Sequence, residues 1–455
     1  MPTEHQNSFD AGWNANFDEV FSTLPELINF PEFDGLYPAA DNAVYTTSVV
    51  LWMLTYQRLS PDSTLEAAVK RLAQDNPVLL PKNKRVSDAT LSKNTSGYSR
   101  ARSRLPEDAT TQFVARVSQS IIESSPPSHH GRRLFLIDST TITLAPEEGL
   151  QERYPPATNQ YGEGVWPVAQ LVVAHEIARG AAMNPSQGAM YGEKAVSETA
   201  LIGECLEQLP QGSIVMADAG YGIFSVAHQI HERGLEFLLR MTKARFGSLR
   251  RKATLVDSGE NWSTWSHRWT PSAKERKTHP EFADDAAVDV YLHEITVTPK
   301  LTLLLCTTGS DTAEEAAELY KKRYDDEVDI RNIKVVLDTE NIRARSVSMF
   351  HKELFMSMVG YNLVVQFRRQ AAQCIKESPR RLSFKRVWTT FRTFLLSQTF
   401  TEPAEWRAAY DRALKYATQD KLPNRPGRSY PRAAYQRRPK SQQYEKREDR
   451  RKKPK

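Results

Sequence analysis

Two aspartates in this sequence follow apolar segments in a way that could build a metal site. Asp138 comes directly after Leu134–Ile137, and Asp218 comes directly after Ser213–Ala217. Both segments predict β-strands, and the ligands of open α/β sheets gather at the carboxyl ends of strands. Carboxylate oxygens there are the ligands that Mg²⁺ prefers. A single aspartate at such a position is more simply a cap for the next turn, so the inference depends on having two.

A second group of chemically active side chains lies on one predicted helix, from about Asp311 to Leu337. A phenol, a carboxylate and two cations share an arc of about 60° when each residue advances by about 100°. These side chains are Tyr320, Arg323, Glu327 and Lys334. The mixture suits a site where metal ions and a phosphate backbone meet. The alternative is a solvated helix face on which Arg323 and Glu327 form an i,i+4 ion pair.

The elements that must position these residues are those of an α/β sheet. Apolar strands alternate with helices, which predicts a mixed sheet with flanking helices, and the first strands are expected at 134–137 and 142–144. A stretch of alternating apolar and polar residues interrupts this pattern and predicts an antiparallel β insertion. A linker rich in Ser and Pro precedes the first strand, and its His129 and His130 are expected to be solvated.

The chain is therefore divided into a helical N-terminal DNA-binding or accessory domain, a linker, a core in two parts, an insertion between those parts, and a basic tail. Their ranges are 1–123, 124–133, 134–245 with 301–416, 246–300, and 417–455.

The charge of the chain is unevenly distributed. The 455 residues carry a formal net charge of +6, but residues 421–455 hold 14 Lys and Arg against 3 Asp and Glu. That segment has few apolar residues with which to build a core, so we expect a disordered basic tail. A polar N-terminus, three distant cysteines and the lack of an 18-residue apolar run favour a cytoplasmic protein with no membrane span.

A second basic segment lies between Lys82 and Arg104, where seven cations accompany one acidic residue, Asp88, and many hydroxyl side chains. Long cations and hydroxyls suit contacts with phosphates, whereas the alternative is a solvated loop and helix face. The candidate DNA contacts are Arg100, Arg102 and Arg104.

The spacing Tyr-x2-Arg-x3-Glu-x6-Lys on the predicted helix resembles the signature of the IS4 group of bacterial insertion-sequence transposases. Those enzymes carry a DDE triad on an RNase H-like fold, and the resemblance identifies Asp138, Asp218 and Glu327 as the triad. Tyr324 and Asp326 depart from the family, which usually has Trp and an aliphatic residue at these positions.

The resemblance also implies a mechanism. The triad would hold two Mg²⁺ ions, with Mn²⁺ as a substitute, about 4 Å apart. The same site would cleave the transposon ends and join them to target DNA through a hairpin intermediate, while Tyr320, Arg323 and Lys334 hold terminal phosphates. The partners would be terminal inverted repeats, target DNA and a second copy of the chain in a nucleoid-associated homodimer.

Three of the eight tryptophans lie close together in the insertion, at Trp262, Trp265 and Trp269. A DNA hairpin contains a tight turn, which a flipped base stacked on an indole would relieve. Cross-strand packing is the alternative, and we expect it for at least two of the three.

Two other functions stay open at this point. A catalytically silent DNA-binding protein derived from a transposase would keep the basic segments and lose Mg²⁺-dependent cleavage. A sugar hydrolase could use a pair of carboxylates, but it would have no need for the aligned cations of the predicted helix.

Overall fold

The computed structural model describes residues 30–75, 80–124, 126–159, 162–299, 301–323, 329–333, 342–397 and 403–423. Its strands form one ten-stranded sheet. In chain order they are β1 (Leu134–Thr143), β2 (Pro156–Asn159), β3 (Gly162–Glu176), β4 (Ser186–Ala189), β5 (Ile214–Ala217), β6 (Glu236–Arg240), β7 (Thr254–Ser258), β8 (Trp262–Trp269), β9 (Val288–Thr298) and β10 (Leu301–Thr307).

Helices cover the sheet and surround one long helix, α13. In chain order the described helices are α1 (Phe30–Leu36), α2 (Thr47–Leu59), α3 (Leu65–Asp75), α4 (Lys84–Ser87), α5 (Ser96–Arg104), α6 (Glu107–Glu123), α7 (Glu148–Arg153), α8 (Glu198–Leu206), α9 (Phe224–Glu232), α10 (Lys243–Arg250), α11 (Ala273–Thr278), α12 (Ala313–Lys321), α13 (Val347–Cys374), α14 (Phe384–Ser397) and α15 (Pro403–Ala417). None of them is long and apolar enough to cross a membrane.

The first half of the sheet has the strand arrangement of an RNase H-like fold. β1, β3 and β4 form an antiparallel group, and β5 and β6 add to the other side of β1 as parallel neighbours. Helices α8 and α9 precede β5 and β6, as the crossover connections of parallel strands require. The predicted fold class, a mixed sheet with flanking helices, is confirmed.

β1 is a single strand of ten residues, so the prediction of two short strands at 134–137 and 142–144 is wrong. The polar residues between them, Asp138–Thr141, stay in the ladder and pair with Leu171–Val173 and Gln170 of β3. A strand interior tolerates threonines well because their branched side chains fit the pleated surface.

The predicted insertion is antiparallel, as expected, but it is continuous with the central sheet. β7, β8 and β9 pair in sequence, and β10 then joins β9 on one side to β6 on the other. The insertion thus extends the sheet at the β6 side and is held through the backbone hydrogen bonds of β10.

The helices before β1 share a core with the elements after it. α2 and α6 pack against α13, and one cluster of buried apolar side chains runs from Phe33 to Ala417. The buried Asn362 of α13 receives a hydrogen bond from the Ala182 amide and donates one to the Ala182 carbonyl, both at 2.8 Å. The described helices of residues 1–123 are thus integrated into this core. The division of the chain into domains stays a prediction.

The predicted linker and tail are more ordered than expected where they are described. The His129 side chain is only 12% exposed, so its expected solvation is wrong, whereas His130 is 62% exposed. At the other end, the Ser383 amide donates to the Asp420 carbonyl at 2.8 Å, and Lys421 bridges to Leu382. The tail therefore does not begin at residue 417, and residues 424–455 lie outside the described part.

Candidate active site

The pairing of two parallel strands brings the two predicted aspartates together. β1 and β5 are paired at Leu134 with Ile214, Phe135 with Val215, and Leu136 with Met216. The pairs end there, and the same register continued by two residues would bring Asp138 next to Asp218, just past the end of β5. The charges of both residues act on Tyr221, which places both of them near it. Because neighbouring strands lie about 4.8 Å apart, the two residues share one small region at the carboxyl end of β5.

Strand alternation also gives both aspartates the same face of the sheet. Leu134 and Leu136 belong to the smaller apolar cluster, as do Ile214 and Met216, and α12 covers this cluster. Since side chains alternate with period two, Asp138 and Asp218 continue on the α12 face. Two carboxylates are thus presented to the helix that leads toward the third predicted acid.

Asp138 does not end its strand, in contrast to the prediction. β1 continues to Thr143 along β3, but β5 ends at Ala217, so Asp138 lies where the parallel partner of β1 stops. The carboxylate is half-buried, and its Oδ1 accepts a hydrogen bond from the Ser139 amide at 2.8 Å.

Asp218 follows β5 directly, as predicted, and its side chain is exposed. Its Oδ1 accepts the Gly220 amide at 2.7 Å. A Cβ atom on Gly220 would lie 2.9 Å from that same oxygen, so a larger residue there would require the Asp218 side chain to shift. The turn holds the carboxylate at the carboxyl end of β5 and leaves it exposed to solvent.

Two buried tyrosines lie next to the aspartates. Burial raises the pKa of Tyr221 well above its usual range, and the charges of Asp138 and Asp218 add to this rise. Burial also raises the pKa of Tyr320 to about 12, against the lowering effect of Arg323 and Arg240 and with a further rise from Asp218. The Tyr320 phenol is therefore within electrostatic range of one aspartate and two guanidinium groups.

Tyr221 and Arg240 were not among the predicted site residues. Tyr221 had a signal in the sequence, since it lies three residues after Asp218 in the same turn. Arg240 had no such signal in the sequence. It is the last residue of β6, and it lies near the site because β6 is the neighbour of β5 in the sheet.

The long helix predicted from 311 to 337 is helical in two of its described parts, Ala313–Lys321 and 329–333. α12 ends at Lys321, and Lys322 and Arg323 form a turn in which the Arg323 amide donates to the Tyr320 carbonyl at 3.0 Å. The helical arc therefore does not extend through Arg323, although Tyr320 and Arg323 remain near each other. Glu327 and Lys334 lie outside the described residues, as do Tyr324 and Asp326.

A basic cleft opens beside the Asp218 turn. One guanidinium nitrogen of Arg245 donates to the Ala219 carbonyl at 2.8 Å. The cleft that Arg245 lines has a volume of about 630 Å³ and includes Lys252, Arg268 and Lys274 together with serine and threonine hydroxyls. Cations and hydroxyls in one groove are the groups that contact a phosphate backbone.

The three tryptophans of β8 lie in different environments. Trp269 is 5% exposed and packs edge-on against Phe224, with ring centroids 5.8 Å apart. Trp265 packs against Phe246 and lies under the Arg250 guanidinium. Trp262 is half-buried and lines a separate cleft of about 310 Å³. Stacking on a base stays a prediction for all three, and Trp269 is least accessible for it.

The arginines of α5 also divide by their surroundings. Arg102 is turned inward, with its guanidinium 3.6 Å from the Glu353 carboxylate of α13. Arg100 and Arg104 line a surface cleft of about 490 Å³ together with Arg85 and several hydroxyl side chains. Contact with DNA stays a prediction for each of them, and the geometry favours Arg100 and Arg104.

The donor atoms at the Asp138–Asp218 edge fit a divalent metal ion. Both side chains offer hard carboxylate oxygens, and they come from adjacent strands whose spacing is fixed by backbone hydrogen bonds. The neighbouring cations Arg240 and Arg323 would complement phosphate groups rather than the metal.

Comparisons with known proteins give the family. No curated protein sequence matches the chain. A cryo-EM structure of a piggyBac transposase synaptic complex with hairpin DNA is similar at 10% identity and a TM-score of 0.40, over 86% of this chain and 78% of that one. The transposase DDE domain family matches residues 129–363, which is more than half of the chain. That range contains both aspartates of the sheet edge, and the chain therefore belongs to the transposase DDE domain family as a DDE transposase that uses divalent metal ions.

Proposed function

We propose that this DDE transposase is of the IS4 group of bacterial insertion sequences, and that it cleaves and joins DNA at the ends of its own element with Mg²⁺. The observation that supports the proposal is the parallel pairing of β1 and β5, which runs to Leu136 and Met216, two residues before Asp138 and Asp218. The Tyr-Arg-Glu-Lys spacing, which begins at Tyr320 inside α12, would supply the third acid and the cations.

In this proposal Asp138, Asp218 and Glu327 hold two divalent ions, Mg²⁺ or Mn²⁺. Bound there, the ions supply Lewis-acid activation of the attacking oxygen and stabilise the leaving 3′-oxygen. Two of the three proposed ligands belong to the region where β1 and β5 pair, and the third follows α12 in the sequence.

The side chains around the carboxylates orient the DNA end. Tyr320 and Arg323 hold terminal phosphates together with Lys334, and Arg240 adds a cation beside the Tyr320 phenol. The cleft beside Arg245 provides a path for the backbone of the same strand. A hairpin intermediate would place its turn near the insertion, where Trp262 and Trp265 are both half-buried and Trp269 is buried.

Further contacts come from outside the core. Arg100 and Arg104 would bind phosphates of the terminal inverted repeat in the α5 cleft, while Arg102 holds α5 to α13 through Glu353. The complex on DNA would be a nucleoid-associated homodimer, and the basic tail would add non-specific affinity for target DNA.

The experiment separates DNA binding from cleavage with two variants in the predicted motif. On DNA that carries the inverted repeats flanking the gene, E327Q should abolish Mg²⁺-dependent cleavage and leave end binding intact, because it removes a metal ligand and no phosphate contact. K334A should weaken end binding and reduce the slope of log affinity against log salt concentration by about 1, as expected when one phosphate contact is lost.

The same experiment decides between the two transposase-like functions. A catalytically silent protein would bind the ends but would not cut them with Mg²⁺ or Mn²⁺ in the unmodified chain. Normal cleavage by E327Q would instead show that Glu327 is not the third acid.

A separate experiment tests the basic tail. Because Lys421 contacts the folded body, truncation is placed after Pro423. We expect weaker binding to random duplex at low salt and an unchanged melting temperature. A lower melting temperature with unaltered DNA binding would show that the tail instead stabilises the fold.

A further inference from the structure

A cluster of histidines and carboxylates lies away from the Asp138–Asp218 edge. It consists of His129 and His130 from the turn before β1, and Asp311 from the loop before α12. One ligand atom from each residue lies within 4.8 Å of the others. The His129 Nε2 and the Asp311 Oδ1 are 2.6 Å apart, and His129 is 12% exposed. These are donors that bind transition metals, and nothing in the transposition chemistry requires them.

The turn that carries the histidines is tightly built. The amides and carbonyls of His129 and Arg132 form a two-residue hairpin, with hydrogen bonds of 3.2 and 2.8 Å. Its central residues are His130 at φ +46° and Gly131 at φ +77°. Left-handed backbone suits glycine but is unfavourable for histidine. The turn holds the two imidazole rings with their centroids 4.3 Å apart.

The start of α12 supplies a fourth donor. Thr312 and Glu315 form a capping box, in which the Thr312 amide donates to Glu315 Oε2 at 2.9 Å. The other oxygen, Oε1, is 3.4 Å from the Nε2 of His130. The cap therefore turns one oxygen of Glu315 toward His130, at the edge of the group formed by His129, His130 and Asp311.

The Arg132 guanidinium forms ion pairs that position the Asp311 carboxylate of the cluster. One guanidinium nitrogen of Arg132 is 2.9 Å from Asp311 Oδ1, and another is 2.6 Å from the Glu236 carboxylate. A Cβ on Gly309 would lie only 2.9 Å from Asp311 Oδ2, so the backbone also approaches the carboxylate closely. Outer hydrogen bonds of this kind orient the ligands of metal sites.

We propose that this cluster binds one transition-metal ion of the Zn²⁺ class, with His129, His130 and Asp311 as ligands and Glu315 as the fourth. Imidazole and carboxylate together suit Zn²⁺, whereas Mg²⁺ prefers oxygen ligands alone. The ion fastens the turn before β1 to the start of α12. This site is separate from the catalytic edge, because the nine residues of α12 span about 13 Å and Tyr320 lies at the other end.

The test measures Zn²⁺ and Co²⁺ binding to the full-length, EDTA-stripped protein without DNA or Mg²⁺. Because Zn²⁺ also binds carboxylates, the measurements use a D138N/D218N background, which removes the catalytic ligands. We expect one Zn²⁺ per chain, tetrahedral absorption bands with Co²⁺, and a rise in melting temperature on adding Zn²⁺.

Matched variants locate the ion. H130A removes an exposed ligand with little risk to folding, and it should weaken Zn²⁺ binding more than tenfold and abolish the thermal shift. H279A serves as the control, because His279 forms a comparable pair with Glu281 at 2.9 Å, and it should bind as the background protein does.

H129A extends the test to the buried ligand and should abolish the Co²⁺ bands. The proposal is overturned if the background protein takes up no Zn²⁺, or if H130A and H279A bind Zn²⁺ equally well. Either result leaves the catalytic assignment unaffected, since cleavage with Mg²⁺ is tested separately.

Discussion

Replacing Asp218 with Asn asks whether the two aspartates repel each other when no metal ion is bound. Asparagine keeps the oxygen that accepts the Gly220 amide at 2.7 Å, so the turn should be preserved. The negative charge beside Asp138 is lost. We therefore expect the metal-free protein to become more stable while metal binding and cleavage are lost.

The size of the effect is worked from the spacing of neighbouring strands, about 4.8 Å, as the scale of the separation between the two charges. Two unit charges about 5 Å apart repel by about 1 kcal/mol in a water-like dielectric, and by about 3 kcal/mol at an effective dielectric constant of about 20. Asp218 is exposed, so the smaller figure applies, and physiological salt reduces it only partly at this distance. D218N should raise the free energy of unfolding of the metal-free protein by up to about 1 kcal/mol.

The assay is urea unfolding, first in EDTA and then at saturating Mg²⁺. The unmodified protein should be stabilised by Mg²⁺, and D218N should not. D289N is the control, since Asp289 is an exposed aspartate paired with Arg268, and its response to Mg²⁺ should be normal. The reasoning is refuted if D218N is clearly destabilised in EDTA or gains as much from Mg²⁺ as the unmodified protein.

Three further predictions follow from the same region and its surroundings. In G222A the new Cβ would lie 2.5 Å from the Arg240 carbonyl oxygen, so urea unfolding should show a loss of about 1–3 kcal/mol, and an unchanged midpoint would contradict this packing. Y320F removes a buried hydroxyl beside Arg240. Binding to terminal DNA should weaken roughly 2- to 10-fold, as for one lost hydrogen bond, while the stability of the protein stays equal. Equal affinity would exclude the phenol as a phosphate contact. Burial lowers the pKa of His293 from 6.5 to about 4, so the folded state excludes a proton that the unfolded chain binds. The free energy of unfolding should fall as pH drops from about 6.5 to 4. Measured at pH 7 and pH 5, this free energy should depend less on pH in H293Q than in the unmodified protein. Equal pH dependence in both proteins would assign it to other groups.

The edge of the sheet where the two aspartates lie could largely be predicted from the sequence. Asp218 follows a buried apolar strand, as that pattern predicts, and its role as a metal ligand stays a prediction. Asp138 was also found, but the strand continues past it, because threonines and a polar run remain in β geometry when a long partner strand is available. The adjacency of the two residues depends on register, which is set by packing across the sheet and is not encoded in either segment alone.

The helix before the third acid shows where periodicity fails. Its apolar spacing was real, since Leu319 packs against the sheet, yet the described helix ends at Lys321. Helical periodicity did not reveal the turn at Lys322 and Arg323, which bonds locally to the carbonyls of Leu319 and Tyr320. Arg240 and the contact of His129 with Asp311 were missed because each joins segments far apart in the chain.

Cleavage of the element's own terminal DNA tests the central claim most directly. The unmodified chain, D138N, D218N and D289N would be compared with Mg²⁺ and with Mn²⁺, and DNA-end binding would be measured in parallel. The account predicts metal-dependent cleavage by the unmodified chain and D289N, and none by D138N or D218N, with end binding retained in all four. Cleavage at normal rates by either D138N or D218N would contradict the assignment of the paired aspartates as the metal ligands.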